Sequence, residues 1–338
     1  MFKYQYHQIQ KLIAGFILFF FLAACGNSAS GPTDAAGVEG GASAAIKPEQ
    51  LAPAKKYSLS DIEDILADPV KRSEMIVKIM GSTAREDTYA FLKFHVYGYA
   101  GENLIPFFTM NNVIVQKWYP QEPGFYDLRH YEVAYYSEFD KDTPIETWRN
   151  PITGEVVDVP HFILGPIARE YTPDGIIAPG IAPNPLNFSV IGNRVFIPTQ
   201  STDKVFNPMS TPEWGEYAGS PDIYWDSMLT YSADIEDVLD PDKSRAGAEI
   251  HMQNLVSWNQ FFKMGTRPGR TMVRAFGTHL DSLDDLPPEV RAGLVKYTPE
   301  IFKTNEWEEL RIDAVDFMIS IQEKIENGEI EVTPTENN

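Results

Sequence analysis

Phe188-Ser189-Val190-Ile191-Gly192-Asn193-Arg194-Val195-Phe196-Ile197 decides the fold class. Two runs rich in β-branched and aromatic residues flank Gly-Asn. Gly192 takes the first central position of a two-residue loop, where a positive φ is needed. The stretch therefore reads as a β-hairpin. The same grammar recurs outward from it. Residues 89–100 are rich in Phe, Tyr and Val and stop at the Gly98 and Gly101 turn signals. Residues 104–118 form a long run interrupted by Asn111-Asn112, residues 120–124 a turn, and residues 125–139 another run of Tyr, Val and Ala. Residues 140–143 turn again, and Trp148 to Val159 reads as strand, turn, strand, with Asn-Pro and Thr-Gly as punctuation. Residues 164–186 and 200–221 read as loops. Residues 228–238 and 248–258 are less sharply patterned. In the second, Ile250, Met252, Val256 and Trp258 alternate with Glu249, His251, Gln253 and Ser257, which fits period two and a bend near Asn259. Residues 271–278 add a further strand.

Helices are expected at both ends. Ser60-Asp61-Ile62-Glu63 reads as a capping box, and Asp68-Pro69 stops that helix. Near the C-terminus, Trp307, Leu310, Ala314, Phe317 and Ile321 follow a 3-4-3-4 spacing, with Asn305 as N-cap and Asn327-Gly328 as C-cap. The expected fold is mainly β: an antiparallel meander forming a barrel or strongly curled sheet, calycin-like, with a short N-terminal and a long C-terminal helix. About eight to ten such strands leave an interior able to hold a small ligand.

The N-terminus carries an address. Lys3 and Lys11 precede Leu12 to Ala24, an apolar run shorter than the ~20 residues a membrane span needs. Leu22-Ala23-Ala24-Cys25 resembles the lipobox of bacterial lipoprotein signals. That resemblance implies cleavage before Cys25, a diacylglycerol thioether on its sulfur, and an acyl chain such as palmitate on its amine. Gly26 stands where many inner-membrane lipoproteins carry aspartate, so the resemblance implies an outer-membrane anchor facing the periplasm. Residues 25–57, rich in Gly, Ser, Ala and Pro, read as a lipidated tether. The expected organisation is a signal peptide over 1–24, the tether over 25–57, one β-rich domain over 58–330, and a disordered tail over 331–338.

The full chain of 338 residues has a formal net charge of -20. Removing residues 1–24 takes away two lysines and no acid, which moves it to -22. So acidic a surface repels nucleic acid, which is excluded as a partner. Cys25 is the only cysteine, so no disulfide forms within the chain and the core alone must hold the domain.

Two stretches carry a family resemblance. One is Trp148-Arg149-Asn150-Pro151-Ile152-Thr153-Gly154-Glu155, followed by Val157 and Val159. The other is Trp258-Asn259-Gln260-Phe261-Phe262-Lys263-Met264-Gly265-Thr266-Arg267-Pro268-Gly269, then Arg274-Ala275-Phe276-Gly277 and Leu286-Pro287. Together, over residues 75–305, they resemble an uncharacterised bacterial and fungal family, the domain of unknown function 1838. The family brings no established reaction or site residues. Where its members usually have tryptophan, this chain has Phe261, which keeps an aromatic surface and loses an indole N–H.

Candidate chemistry is sparse. His95, His130, His161, His251 and His279 fall on separate expected strands, with no His-x-His, His-Glu-x-x-His or Cys-x-x-Cys spacing. No metal site or cofactor is expected, because ligand spacings, phosphate loops and dinucleotide fingerprints are missing from the sequence. Gly-x-Ser-x-Gly is also missing, which argues against a serine hydrolase. His130 and Glu132 share one strand face and are the candidate acid–base pair. Trp118, Tyr135, Trp148, His161 and Trp258 are candidate pocket residues. Arg267 and Arg270, on a Gly/Pro turn, are candidates for holding a ligand anion.

The expected function is a lipid-anchored envelope protein binding a hydrophobic or aromatic small molecule. The alternatives are a cofactor-free isomerase, dehydratase or hydrolase using His130 and Glu132, and a structural envelope interaction module.

Overall fold

The computed structural model describes residues 56–160, 162–177, 186–303 and 322–332. The signal segment, Cys25, His161, most of the tether, and Trp307 to Ile321 of the expected C-terminal helix lie outside the described residues.

Two helices come first. A 3-10 turn at Leu59–Asp61 leads into α1 (Glu63–Ala67), and α2 (Pro69–Met80) follows directly. The capping box belongs to Ser58 and Asp61, two residues earlier than expected. Asp68-Pro69 ends α1, as expected, and also starts α2. The Asp68 carboxylate accepts from the Val70 and Lys71 amides at 3.0 and 3.3 Å, and Pro69 sits at the first helical position, where its missing N–H loses nothing.

Ten strands then form one antiparallel sheet. They are β1 (Asp87–Ala100), β2 (Asn103–Glu122), β3 (Phe125–Glu138), β6 (Phe162–Thr172), β7 (Gly175–Ile177), β8 (Ser189–Ile191), β9 (Arg194–Phe206), β10 (Asp222–Asp234), β11 (Glu249–Val256) and β12 (Arg270–Leu280). Between β3 and β6, the short hairpin β4 (Thr147–Arg149) and β5 (Val156–Asp158) stands apart as its own sheet. The large sheet runs β7-β6-β3-β2-β1-β12-β11-β10-β9-β8. It is two meanders growing outward from a central β1–β12 ladder. Among the described residues the edges, β7 and β8, do not pair, so no closed barrel, one of the two expected forms, is found.

The sheet is nevertheless curled. Helix α2 packs against both β6 and β10. Its 12 residues span about 18 Å. In a flat sheet those two strands would stand six spacings, about 29 Å, apart. One helix reaches both only if the sheet wraps around it. The concave face and α2 share the main apolar core, which includes Met75, Val77 and Ile79 from the helix with Leu92, Trp118, Leu128, Ile197, Leu229 and Ile250 from the strands. Each such side chain contributes about 1.5–3 kcal/mol when fully buried. Helix α2 also straps the two meanders together. Ser73 Oγ donates to the Gly124 carbonyl in the β2–β3 turn at 2.6 Å. On the other side, Lys78 Nζ donates to the carbonyls of Val238 (3.0 Å) and Asp240, at the end of α3 (Ile235–Leu239). Burial there lowers the Lys78 pKa.

The convex face is covered by α4 (Pro288–Tyr297). Val290 and Leu294 pack on Val113, Val115, Tyr131, Val133 and Tyr135.

Two expectations are corrected here. Residues 164–172 and 200–206 are strand, not loop. Asn111-Asn112 does not break β2; both are buried inside it. At the boundaries of the domain, the Tyr57 amide donates to the Gly192 carbonyl at 3.0 Å, and Val332 packs beside the Met209, Trp214 and Tyr217 cluster. At the far end, residues 322–326 are helical. The expected cap is in place. Gly328 has φ 74, and the amides of Gly328 and Glu329 donate back to the carbonyls of Ile325 and Lys324.

His279 gives the fold a pH dependence. Its Nδ1 accepts from the Ala248 amide at 3.3 Å, and the ring also bonds the Met80 carbonyl at the end of α2. Burial, with Arg245 nearby, pushes its pKa down from 6.5 to about 4. The folded imidazole therefore stays neutral where the unfolded one protonates. Its contribution is complete above the unfolded pKa of 6.5 and is lost as pH falls toward 4. Between pH 7 and 4, unfolding free energy should drop by up to about 3 kcal/mol from this group alone. Urea midpoints of wild type and His279→Gln across that range check it: the variant should show the shallower slope.

Candidate functional site

Strands β2 and β3 lie side by side, and alternation decides which side chains face the concave interior. In register, Gln116 opposes His130, Ile114 opposes Glu132, and Asn112 opposes Ala134. The even-numbered positions share the interior face with Trp118 and Leu128 of the main core. Four polar side chains therefore enter an otherwise apolar wall, and they bond in a line. Gln116 Nε2 lies 3.2 Å from His130 Nδ1, His130 Nε2 lies 3.0 Å from Glu132 Oε2, and Asn112 Nδ2 donates to Glu132 Oε1 at 2.6 Å. An amide nitrogen only donates, so His130 Nδ1 is the acceptor. The imidazole proton then sits on Nε2 and is donated to the carboxylate.

Burial differs along this line. His130 and Asn112 are each 1 % exposed, whereas the Glu132 side chain keeps 14 % of its surface accessible. Among the described residues, Asn112 Oδ1 is buried with no hydrogen-bond partner. Leaving such an acceptor unpaired costs about 1–3 kcal/mol. The β3–β6 ladder also shifts register between His130 and Glu132. The extra residue falls at Gly165-Pro166 of β6, and bulges of this kind occur often beside active sites. Chemically, the carboxylate can accept hydrogen bonds, hold a cation or take a proton, with His130 fixed behind it.

The other sequence-derived residues lie elsewhere. Trp118 is fully buried in the main core, with Nε1 donating to Thr88 Oγ1 at 3.2 Å. Tyr135 stands on the opposite face from Glu132, under α4, with its hydroxyl bonded to Thr298 and its pKa raised by burial. An odd-numbered residue of β3 cannot share the face of His130 and Glu132, so its assignment to the same pocket is corrected. Arg270 pairs with Asp226 at 3.3 Å, and Arg267 Nη1 donates to the Met264 carbonyl at 3.1 Å. Arg270 stands beside Tyr99 of β1, while His130 is reached through Gln116 from Thr88. Those two β1 positions are about 36 Å of extended chain apart. The structure thus brings His130 and Glu132 together and leaves the arginines at the far end. Asn112 and Gln116 were missed. Their signal was present, since polar residues within a long apolar strand need partners.

The two sequence motifs meet at that far end. Asn150, fully buried in the turn between β4 and β5, donates from Nδ2 to the Phe262 carbonyl at 2.7 Å. Its Oδ1 accepts from the Ile152 amide at 2.8 Å. Trp148 Nε1 donates to the Phe107 carbonyl at 3.1 Å, and Trp258 Nε1 to the Arg267 carbonyl at 3.0 Å. Phe107, Phe108, Tyr136, Trp148, Phe261 and Phe262 pack ring against ring, with centroids as close as 4.4 Å for Phe261 and Phe262. Trp148 and Trp258 are therefore parts of a structural knot. A family model for proteins of unknown function, DUF1838, matches residues 94–315 and so spans both motifs. The chain belongs to DUF1838. A search of curated proteins finds no match. In this DUF1838 chain, no cluster of three or more His, Cys, Asp or Glu side chains among the described residues could hold a metal. No described helix is long and apolar enough to cross a membrane.

Proposed function

We propose that this DUF1838 chain is a lipid-anchored envelope protein that binds a hydrophobic or aromatic small molecule on the concave face of its sheet. Glu132 and Asn112 would touch the ligand, and His130 and Gln116 would hold Glu132 in place. One observation carries the reading: the unpartnered Asn112 Oδ1 lies in the same network as a carboxylate that keeps part of its surface accessible. Buried acceptors are nearly always paired, and a ligand donor would supply the partner. The surrounding wall, with Leu92 and Ile114, suits an apolar body.

Native mass spectrometry of the purified chain tests this. The expected result is a reproducible extra mass of small-molecule size, lost on denaturation. A bare protein mass from every preparation would refute the reading. The anchor has its own test. Cys25→Ser should move the protein from the membrane fraction to the soluble fraction, and unchanged membrane retention would remove the lipid from the proposal.

A second reading is favoured by the 3.0 Å contact between His130 and Glu132. In it, the same site is a cofactor-free enzyme performing isomerisation, dehydration or hydrolysis, with Glu132 as the proton-transferring group. Glu132→Gln should then lower turnover of the released ligand by about 10²–10⁴-fold. Equal rates in wild type and variant would leave the carrier reading alone.

A further inference from the structure

The strongest polar groups this site turns toward a ligand are acceptors. Asn112 gives one Nδ2 hydrogen to Glu132, and among the described residues its Oδ1 is an unpaired acceptor. Glu132 is an acceptor on both oxygens, each already holding one N–H. Among the described residues, its ion-pair contact is His130, and no lysine or arginine lies within salt-bridge distance of it. The His130 proton already points at the carboxylate, so the ring has no second proton to offer in its neutral form. A ligand group that brings donors satisfies both Oδ1 and the carboxylate, and one that brings positive charge also balances the carboxylate. An alcohol supplies a single O–H. A primary ammonium supplies three N–H bonds and the charge. A ligand carboxylate or phosphate would face Glu132 as a like charge.

We infer that the ligand is an apolar molecule with a protonated amine, whose ammonium is held between Glu132 and Asn112 Oδ1. This rests on the concave-face binding reading above and specifies the head group that reading leaves open. Leu92, opposite Asn112 in the β1–β2 ladder, and Ile114, opposite Glu132, border the head group with hydrocarbon. The distant arginines add no positive charge to the site.

The test compares three probes sharing one skeleton, 4-phenylbutylamine, 4-phenylbutanol and 4-phenylbutyrate, titrated calorimetrically into the full chain at neutral pH. The amine should bind at least about tenfold more tightly than the alcohol, the scale of one charge-assisted hydrogen bond. The carboxylate should bind weakest. Glu132→Gln keeps the shape and removes the charge, and should bring amine and alcohol within about threefold of each other. Its circular dichroism should match wild type, so that a lost preference is not lost folding. Equal binding of all three probes, tighter binding of the carboxylate, or an amine preference that survives Glu132→Gln would each overturn the inference while leaving the binding reading standing. If no probe binds, the mass-selected native ligand decides: a basic nitrogen in its fragments supports the inference, and a ligand without one overturns it. No probe binding and a bare native mass would overturn both.

Discussion

Gly277→Ala is expected to leave little folded protein. Gly277 sits in β12 opposite Leu92 of β1. A Cβ added there would stand 2.1 Å from the Phe91 carbonyl oxygen and 2.7 Å from Leu92 Cα. Both are backbone atoms of the neighbouring strand, and backbone cannot rotate away as a side-chain tip can. Relief requires β1 and β12 to separate, and that ladder is the one that joins the two meanders. The expected loss exceeds about 4 kcal/mol, beyond ordinary overpacking of a core. The same substitution at Gly101 supplies the comparison. Gly101 lies in the β1–β2 turn with φ +66 and open space around its Cβ position. Gly101→Ala should cost only the left-handed backbone strain, about 1–2 kcal/mol. Soluble yield and urea midpoints of the two variants check the contrast. Comparable midpoints would mean the central ladder yields more easily than its geometry implies.

Asn150→Leu should be the next most damaging change. The Asn150 side chain hydrogen-bonds the β4–β5 turn to the 3-10 turn at Gln260–Phe262. Leucine is close in size and leaves the Phe262 carbonyl and the Ile152 amide without these partners. At about 1–3 kcal/mol for each buried group left unpaired, the loss should approach 4 kcal/mol. Near-ultraviolet circular dichroism should report it as well, because Trp148 and the Phe261–Phe262 pair lose their fixed orientation. Asn150→Asp keeps the acceptor for Ile152 but turns a charge toward the Phe262 carbonyl, so it should rescue little. A near wild-type midpoint for Asn150→Leu would show that aromatic packing alone holds the two motifs together.

The β-hairpins were legible because their turn chemistry is local. Gly192 has φ 66 between β8 and β9, and Trp148 to Val159 forms the β4–β5 hairpin. Residues 164–172 read as a loop because Gly165 and Pro166 normally interrupt a ladder. The strand survives by placing them at a bulge, where a missing N–H is tolerated. Helix α2 was hidden by Asp68-Pro69, a pair that terminates the turn before it and caps the turn after it. Asn111-Asn112 read as a break because two amides in an apolar strand are costly alone. Their partners, Ser137 and Glu132, arrive from the next strand. At the candidate site, the shared face of His130 and Glu132 followed from alternation within one strand. Asn112 and Gln116 needed the β2–β3 register, which no local pattern reveals. The same alternation rule, applied to Tyr135, would have put it on the far side.

The β1–β12 ladder also sets the order in which the molecule can assemble. Tyr99 pairs with Arg270 and Tyr89 with Leu280, so this one ladder closes loops of about 170–190 residues, whereas most of its neighbours join strands adjacent in sequence. Each meander can zip from its own turns within a short stretch of chain. The first to emerge during synthesis must then wait, with α2 but not the second meander over its interior face, until nearly all of the second has been made. Folding should accordingly be slow and its late step common to both halves. A chain cut after β7 would keep its hairpins and lose the partner that hides them, a state prone to sticking to its own copies.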